Sequence, residues 1–185
     1  MTAPRLVSVQ VGQPRQVEGG NRSVRTAIFK EPVLFRVWAR RLNLEGDRQA
    51  DLRVHGGPDK AIYAYDLSGY AHWRRELGLE LPHGQFGENL TVEGLPESSV
   101  RVGDIYRIGD ALLQVSQPRS PCFKLSLKMG RPDFGKAFVA SRHPGFYLRV
   151  LEEGELGAGD AITLVEAGPE RATVARIADR LFHRA

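Results

Sequence analysis

The sequence contains very little cysteine: Cys122 is the single cysteine in a chain of 185 residues. One cysteine permits no internal disulfide, which fits a reducing compartment such as the cytoplasm. No apolar run approaches the roughly 18 residues that span a membrane, and the first residues lack the apolar segment of a signal peptide. We therefore expect a cytoplasmic protein without a membrane partner.

Several widespread functional signatures are also missing. The chain has no low-complexity segment and no repeat of solenoid period. It has neither a phosphate-binding loop nor a dinucleotide fingerprint, and its histidines lack the spacing of a common zinc site. These absences argue against repeat proteins, P-loop enzymes, Rossmann enzymes and zinc enzymes.

The overall composition is that of one globular domain. Hydrophobic residues make up 42% of the chain and charged residues 26%, so an ordinary core can form. The net charge of +4 suits an anionic small ligand or weak nucleic-acid contact, and does not choose between them.

Hydrophobic patterning predicts a mainly β protein. Many short apolar segments are joined by glycine and proline turns, with few helices between them, which favours a closed or nearly closed β-barrel with a few peripheral α-helices. Residues 12–25 are polar and are predicted to form a loop. The predicted strands are 6–11, 33–37, 61–65, 102–108, 111–115, 145–151 and 159–165, and the predicted helices are 68–77, a segment around 134–138, and 173–183.

The cysteine lies in a distinctive segment, Gln117–Lys124, which follows a predicted strand. Its two prolines indicate a stiff loop, because proline fixes φ and removes an N–H donor. Arg119 and Lys124 flank Cys122 and are expected to lower the pKa of its thiol, which favours a nucleophile or a metal ligand. The alternative is that Cys122 is a small buried hydrophobe.

Two further loops combine glycine with polar side chains. In the loop 54–60, His55 and Lys60 flank a Gly-Gly-Pro-Asp turn, where His55 is either structural or a catalytic group. In the loop 84–92, Asn89 could hydrogen-bond a polar heterocycle or close an Asx turn.

Together and in this order, the segments 54–60, 86–90 and 117–124 resemble the MOSC domain, the molybdenum cofactor sulfurase C-terminal domain. The resemblance runs from about Val7 to Val165 and is strongest to the YiiM-type bacterial members, which are linked to resistance to 6-N-hydroxylaminopurine. It implies a β-barrel that binds the molybdenum cofactor, a pterin dithiolene carrying a phosphate. It also implies reduction of N-hydroxylated compounds, including purine base analogues, as a detoxification reaction.

The resemblance assigns roles to individual residues. Cys122 is the expected molybdenum ligand, and Lys30, with Arg25 beside it, matches the stretch that supplies a cationic cofactor contact. Removing oxygen from an N-hydroxyl group requires a redox cofactor, because no common side chain supplies the electrons. The remaining roles are expected from side-chain chemistry and not from the resemblance. They are phosphate binding by Lys60 together with Lys30 and Arg25, support of the thiolate by Arg119 and Lys124, pterin recognition by Gly87, Glu88 and Asn89, and proton transfer by His55.

The resemblance also indicates organisation and partners. Residues 1–168 are expected to form the MOSC domain, and 169–185 a C-terminal helix that could begin a truncated three-helix domain. An N-hydroxylated small molecule and an electron-donor reductase are the expected partners of a monomer or dimer. One alternative is a carrier of the cofactor or of sulfur without turnover. A second is a nucleic-acid-associated barrel, although the aromatic residues are not interleaved with cations and no stable nucleic-acid binding is expected.

Overall fold

The computed structural model describes residues 3–19, 22–50 and 56–182. This part of the chain is mainly β, with four α-helices and one short 3₁₀ helix at Pro58–Lys60. None of its helices has the length and apolarity needed to cross a membrane. The strands are β1 Arg5–Val11, β2 Arg15–Gly19, β3 Arg22–Thr26, β4 Glu31–Val33, β5 Val37–Ala39, β6 Ile62–Asp66, β7 Leu90–Glu93, β8 Ile105–Ile108, β9 Ala111–Pro118, β10 Phe146–Glu152, β11 Gly154–Leu156 and β12 Ile162–Glu166.

Eight of the strands form one mixed sheet in the order β12-β8-β9-β10-β6-β7-β1-β4. Only the β6–β7 pair is parallel among the described ladders of this sheet. In β9, Ala111, Leu113 and Val115 are buried and alternate with half-buried residues, as expected for a strand with one face on the core. The remaining strands form two small sheets, β11-β5 and β2-β3.

The mainly β fold is confirmed, but closure into a barrel is not. In the described residues, β12 and β4 are the two ends of the large sheet and no ladder joins them. The first part of β1 instead meets the start of β12 and the segment before it through one bridge, Arg5–Ala161, and three backbone hydrogen bonds. These run from Leu6 to Asp160 at 2.9 Å, from Gly159 to Leu6 at 2.8 Å and from Ile162 to Pro4 at 2.9 Å. The sheet therefore curves back on itself through isolated contacts rather than through a continuous ladder.

The segment 12–39 differs from the sequence-based expectation. Most of the predicted loop 12–25 is a ribbon of β2 and β3, in which Val17 lies opposite Val24. The sequence pattern did not predict this ribbon, because both of its faces carry polar side chains and neither gives an apolar alternation. The predicted strand 33–37 is interrupted: Phe35 is 68% exposed and separates β4 from β5.

The four helices that pack outside the strands are α1 Leu67–Leu77, α2 Phe123–Met129, α3 Phe134–Ala140 and α4 Val174–Phe182. Helix α1 is capped by Asp66, whose side chain accepts a hydrogen bond from the Ser68 amide at 2.9 Å. The first residue of α4, Val174, belongs to the main hydrophobic core. Helix α2 was not predicted, because its residues follow the proline-rich cysteine segment and look like a continuation of that loop.

Two hydrophobic cores are present. The larger fills the space enclosed by the sheet, and the smaller is an aromatic cluster between β6 and the helices α1, α2 and α3. In the aromatic cluster the indole of Trp73 donates a hydrogen bond of 3.0 Å to the Tyr65 hydroxyl, and both residues are buried. The cluster attaches the helices to β6 and so fixes the position of the cysteine segment, which enters α2.

Replacing Asp66 should destabilise the fold strongly. Its two carboxylate oxygens accept hydrogen bonds from the amides of Ser68 and Leu95, and the residue is buried. Asp66→Ala removes the cap and leaves a buried N–H without a partner, so we expect a loss of about 2–3 kcal/mol in the free energy of unfolding.

Urea denaturation followed by circular dichroism measures this loss. Asp133→Ala is the matched control, because Asp133 precedes α3 without a side-chain capping bond and is 89% exposed. The control should change stability by less than about 0.5 kcal/mol. Equal effects of the two substitutions would contradict the capping argument.

Candidate functional site

A cleft of about 90 Å³ opens where the cysteine segment meets the ends of several strands. Its walls come from the segments 26–30 and 47–50, from the 3₁₀ helix, from the turn before β7, and from β6 and β10. These elements are distant in sequence and are brought together by the β10-β6-β7-β1 part of the sheet.

Cys122 lies at one wall of this cleft. The strand β9 ends at Pro118, and Cys122 is the residue that precedes the first turn of α2. The cysteine is half-buried and is not part of a disulfide. Its position in the cleft favours a reactive or ligating thiol over the alternative of a small core hydrophobe.

Lys30 and Asp47 form a buried ion pair at the opposite wall. The Lys30 Nζ lies 2.5 Å from Asp47 Oδ1, and the two side chains are only 8% and 1% exposed. Burial lowers the pKa of Lys30, while the charge and hydrogen bond of Asp47 oppose that shift. Asp47 also accepts a hydrogen bond from the Gly12 amide at 2.8 Å and one from Asn89 Nδ2 at 2.9 Å.

The turn before β7 approaches the Lys30 segment very closely. Gly87 has a φ of 81°, and a Cβ atom at this position would lie 2.7 Å from a side-chain carbon of Ile28. Glycine is therefore required twice here, once by the backbone conformation and once by the contact. The close approach lets the Gly87 backbone and the Ile28 side chain share the same wall of the cleft.

Arg119 is a buried cation with unused hydrogen-bonding capacity. It is 5% exposed, and its guanidinium lies over the rings of Tyr63 at 5.0 Å and Phe138 at 5.5 Å. Its Nη1 atom has no hydrogen-bond partner among the described residues. A buried charged donor without a partner is costly, so this nitrogen indicates a place for an anionic group in the cleft.

The tyrosines beside Arg119 do not neutralise it. Burial raises the pKa of Tyr63 and of Tyr147, and the nearby Arg119 opposes this shift in both. Both phenols therefore remain protonated near neutral pH. The Tyr63 hydroxyl donates to the Pro144 carbonyl at 2.8 Å, and Tyr147 interacts with Arg119 through a hydrogen bond.

The structure brings most of the sequence-predicted site residues together. Lys60 comes from the 3₁₀ helix and Lys124 from the first turn of α2, so both add positive charge to the wall. The predicted residues that line the cleft are Lys30, Lys60, Gly87, Asn89, Arg119, Cys122 and Lys124.

Two predicted residues of the described chain do not line the cleft, and a third, His55, cannot be placed. Glu88 is fully buried, and its oxygens accept hydrogen bonds from the Tyr70 hydroxyl and from the Gly84 and Phe86 amides, so it supports the turn internally. Arg25 is exposed on the β2-β3 ribbon and does not line the cleft. His55 lies outside the described residues, and its predicted proton transfer stays a prediction.

The side chain of Asn89 has a structural use in addition to the one expected. Its Oδ1 accepts a hydrogen bond from the Tyr63 amide at 3.1 Å, and its Nδ2 donates to Asp47. These bonds hold the walls of the cleft together, and recognition of the pterin by Asn89 stays a prediction.

Sequence reasoning missed three residues that shape the cleft. Asp47 was assigned only to a turn, and Tyr63 and Tyr147 only to strands. The Leu-Glu-Gly-Asp turn was the one sequence feature that could have pointed to Asp47. Its partner Lys30 is 17 positions away, so the pairing cannot be predicted from sequence spacing.

The cation at Arg119 should control the reactivity of Cys122. The two residues line the same cleft and interact electrostatically. Arg119→Met removes a positive charge that favours the thiolate, so the pH at which alkylation reaches half of its maximal rate should rise.

Iodoacetamide alkylation, measured by mass spectrometry between pH 5 and 10, gives this profile. Arg131→Met is the control, because Arg131 is exposed and does not line the cleft. Circular dichroism verifies that both variants fold. Identical profiles for the wild type and Arg119→Met would show that the cation does not act on the thiol.

Comparisons with known proteins identify the family of this chain. The MOSC domain profile matches residues 51–163. The uncharacterized protein YflK of Bacillus subtilis is 41% identical over 181 residues, which cover 97% of this chain and 81% of YflK. A protein named reductase from Gibberella moniliformis is 34% identical over 165 residues, which cover 87% of this chain and 29% of that protein.

A solved structure shares the whole architecture. The crystal structure of YiiM from Geobacillus stearothermophilus superimposes with a TM-score of 0.81 at 39% identity, covering 97% of this chain and 84% of that one. The chain therefore belongs to the MOSC domain family and is a homologue of YiiM.

Proposed function

We propose that this protein is a molybdenum-cofactor-dependent oxidoreductase that reduces N-hydroxylated compounds, among them N-hydroxylated purine analogues. The observation that carries the proposal is the placing of two groups on the walls of one cleft: a cysteine, and a buried guanidinium whose Nη1 has no hydrogen-bond partner among the described residues. Membership of the MOSC family and similarity to a protein named reductase support it.

The donor set of the cleft fits the cofactor. The described residues contain no group of three or more histidine, cysteine or acidic side chains that could hold a metal ion by themselves. A metal bound here would have to bring most of its ligands with it, as molybdenum does in its dithiolene pterin. Cys122 supplies a soft thiolate of the kind such a metal binds.

The cations of the cleft would hold the anionic part of the cofactor. Arg119 offers its unpartnered Nη1, and Lys60 and Lys124 line the same walls. Lys30 is already paired with Asp47, but an ammonium group has three donors, so that pair does not exhaust it. Together these residues bind and orient an anion beside Cys122.

The reaction converts an N-hydroxylamine to an amine. The N–O bond breaks, two electrons and two protons enter, and water leaves. When bound, the cofactor would supply the redox centre that passes the electron pair from an external reductase to the substrate. The chain itself orients the substrate beside Cys122, and the protons reach the departing oxygen from solvent or from His55.

Cofactor content tests the proposal first. Protein made in a host that synthesises the cofactor should contain stoichiometric molybdenum, measured by elemental analysis, and pterin, measured by fluorescence after oxidation. Cys122→Ala should lose most of the metal, because the thiolate that holds it is gone. Ser120→Ala, an exposed neighbour, is the control. Wild-type protein that takes up no pterin even when offered the cofactor would refute the proposal.

Turnover separates an enzyme from a cofactor carrier. With a chemical reductant, the loaded protein should convert 6-N-hydroxylaminopurine to adenine, and chromatography measures the adenine formed. The rate of the Cys122→Ala variant should fall to the background rate. A carrier would contain the cofactor but show no reoxidation when substrate is added. That outcome would replace the catalytic role by cofactor or sulfur delivery.

A further inference from the structure

A second depression lies beside the cysteine turn, between α2 and α3. It is open to solvent, with a volume of about 650 Å³, and Cys122 lines it as well as the cleft. The cationic cleft and this surface groove therefore meet at Cys122. A small molecule in the groove would reach the neighbourhood of Cys122 without passing through the cleft.

The lining of this groove differs sharply from that of the cleft. The cleft carries Lys30, Lys60, Arg119 and Lys124, whereas the described residues that line the groove include a single charged one, Lys136. The ion pair of Lys136 with Asp133 spans 3.8 Å with both side chains about nine-tenths exposed, so Lys136 is not held firmly. The other residues that line the groove are Pro121, Cys122, Phe123, Ser126, Pro132, Gly135, Val139 and Ala140.

Phe123 is the most unusual residue of the groove. It directly follows Cys122 and is 65% exposed, whereas Phe134 and Phe138 of the adjoining helix α3 are buried in the aromatic cluster. The Phe123 ring therefore does not pack in the hydrophobic cores of the fold. An exposed aromatic face beside prolines and small apolar side chains is suited to stacking against a planar ring.

Gly135 keeps the floor of the groove flat. It lies within α3, and its φ is not in the left-handed region, so the backbone does not require glycine. Glycine inside a helix costs about 1 kcal/mol relative to alanine. A Cβ atom here would make only an ordinary contact, 3.4 Å from Ser126 Oγ. The missing side chain thus serves neither conformation nor packing, and its effect is to leave room above the helix.

We infer that the groove between α2 and α3 binds the flat heterocyclic ring of the substrate by stacking on Phe123, with the N-hydroxyl group at the Cys122 end. This inference rests on the proposed function and adds a specificity site to it. Phe123 and Gly135 act on the ring and not on the reacting N–O bond. Substrates without a planar ring gain nothing from them.

Direct binding of a planar purine tests the groove apart from turnover. The probe is 2-aminopurine, whose fluorescence changes on stacking, titrated with the full-length chain both without and with the cofactor. Phe123→Ala should weaken binding about tenfold, because base–aromatic stacking is of that order, and Phe123→Tyr should restore it. Gly135→Ala should weaken binding while thermal stability is unchanged or raised.

Phe35→Ala is the matched control. Phe35 is 68% exposed, similar to Phe123, and lines neither the cleft nor the groove. This variant should bind the probe as the wild type does. If Phe123→Ala and Phe35→Ala bind it equally well, the stacking site is refuted.

Kinetics of the loaded enzyme provide the second readout. With a chemical reductant, Phe123→Ala should raise KM for 6-N-hydroxylaminopurine about tenfold with little change in kcat, because stacking contributes to ring binding alone. It should leave KM for acetohydroxamic acid, which has no ring, unchanged. A loss that appears only with a protein electron donor would instead make the groove a docking surface for that donor and overturn the inference.

The two proposals fail in distinguishable ways. Absence of molybdenum and pterin refutes the proposed function, whatever 2-aminopurine does. Normal cofactor content and turnover, combined with purine binding and KM values insensitive to Phe123 and Gly135, refute the groove alone.

Discussion

One buried side chain, that of Asn89, joins the segments around which the site is built. Its Oδ1 accepts from the Tyr63 amide on β6, and its Nδ2 donates to Asp47 and, at 3.3 Å, to the Gln10 carbonyl on β1. Its backbone groups also bond to Tyr63 and Gln10. Because a buried amide must satisfy its donors and its acceptor, these bonds fix the relative positions of β1, β6 and the loop that carries Asp47. The rest of the cleft depends on that geometry.

The electrostatics of the cleft follow from how its cations are distributed. Lys30 is neutralised by Asp47, and Asn89 donates to the same carboxylate, so this pair is a fixed structural element. Arg119 lies beside the rings of Tyr63 and Phe138, the Tyr147 phenol and Cys122, and one of its nitrogens has no partner in the described chain. Burial costs the guanidinium its hydration, and no carboxylate of the described residues pairs with it to compensate. The positive potential therefore concentrates at the wall that carries Cys122, where an anion would be held.

The large elements of the fold could be predicted because their signals are local. The strands β1, β6, β8, β9, β10 and β12 and the helices α1, α3 and α4 appear near their predicted positions, since alternation, caps and turn residues lie within the elements themselves. The β2-β3 ribbon was not predicted, because it buries almost no apolar surface on either face. The predicted closed or nearly closed barrel is not confirmed, because closure depends on pairing between strands far apart in sequence, which strand patterns do not specify.

For the site, the sequence by itself determined which chemical groups are present and which short segments carry them. A cysteine preceded by two prolines and flanked by two cations, and glycine turns with polar residues, were sufficient to indicate Cys122, Arg119, Lys60 and Lys124. Only the tertiary structure decided how each polar group is used. Glu88 is buried within its turn, Arg25 lies on the β2-β3 ribbon, and Asn89 hydrogen-bonds to the neighbouring strand β6. The reason is that a buried polar side chain is committed by its hydrogen-bond partners, which the residue type does not specify. Glu88 accepts from Gly84 and Phe86 in its own turn. Asn89 bonds to Tyr63, Asp47 and Gln10, which lie on distant segments that only folding brings together.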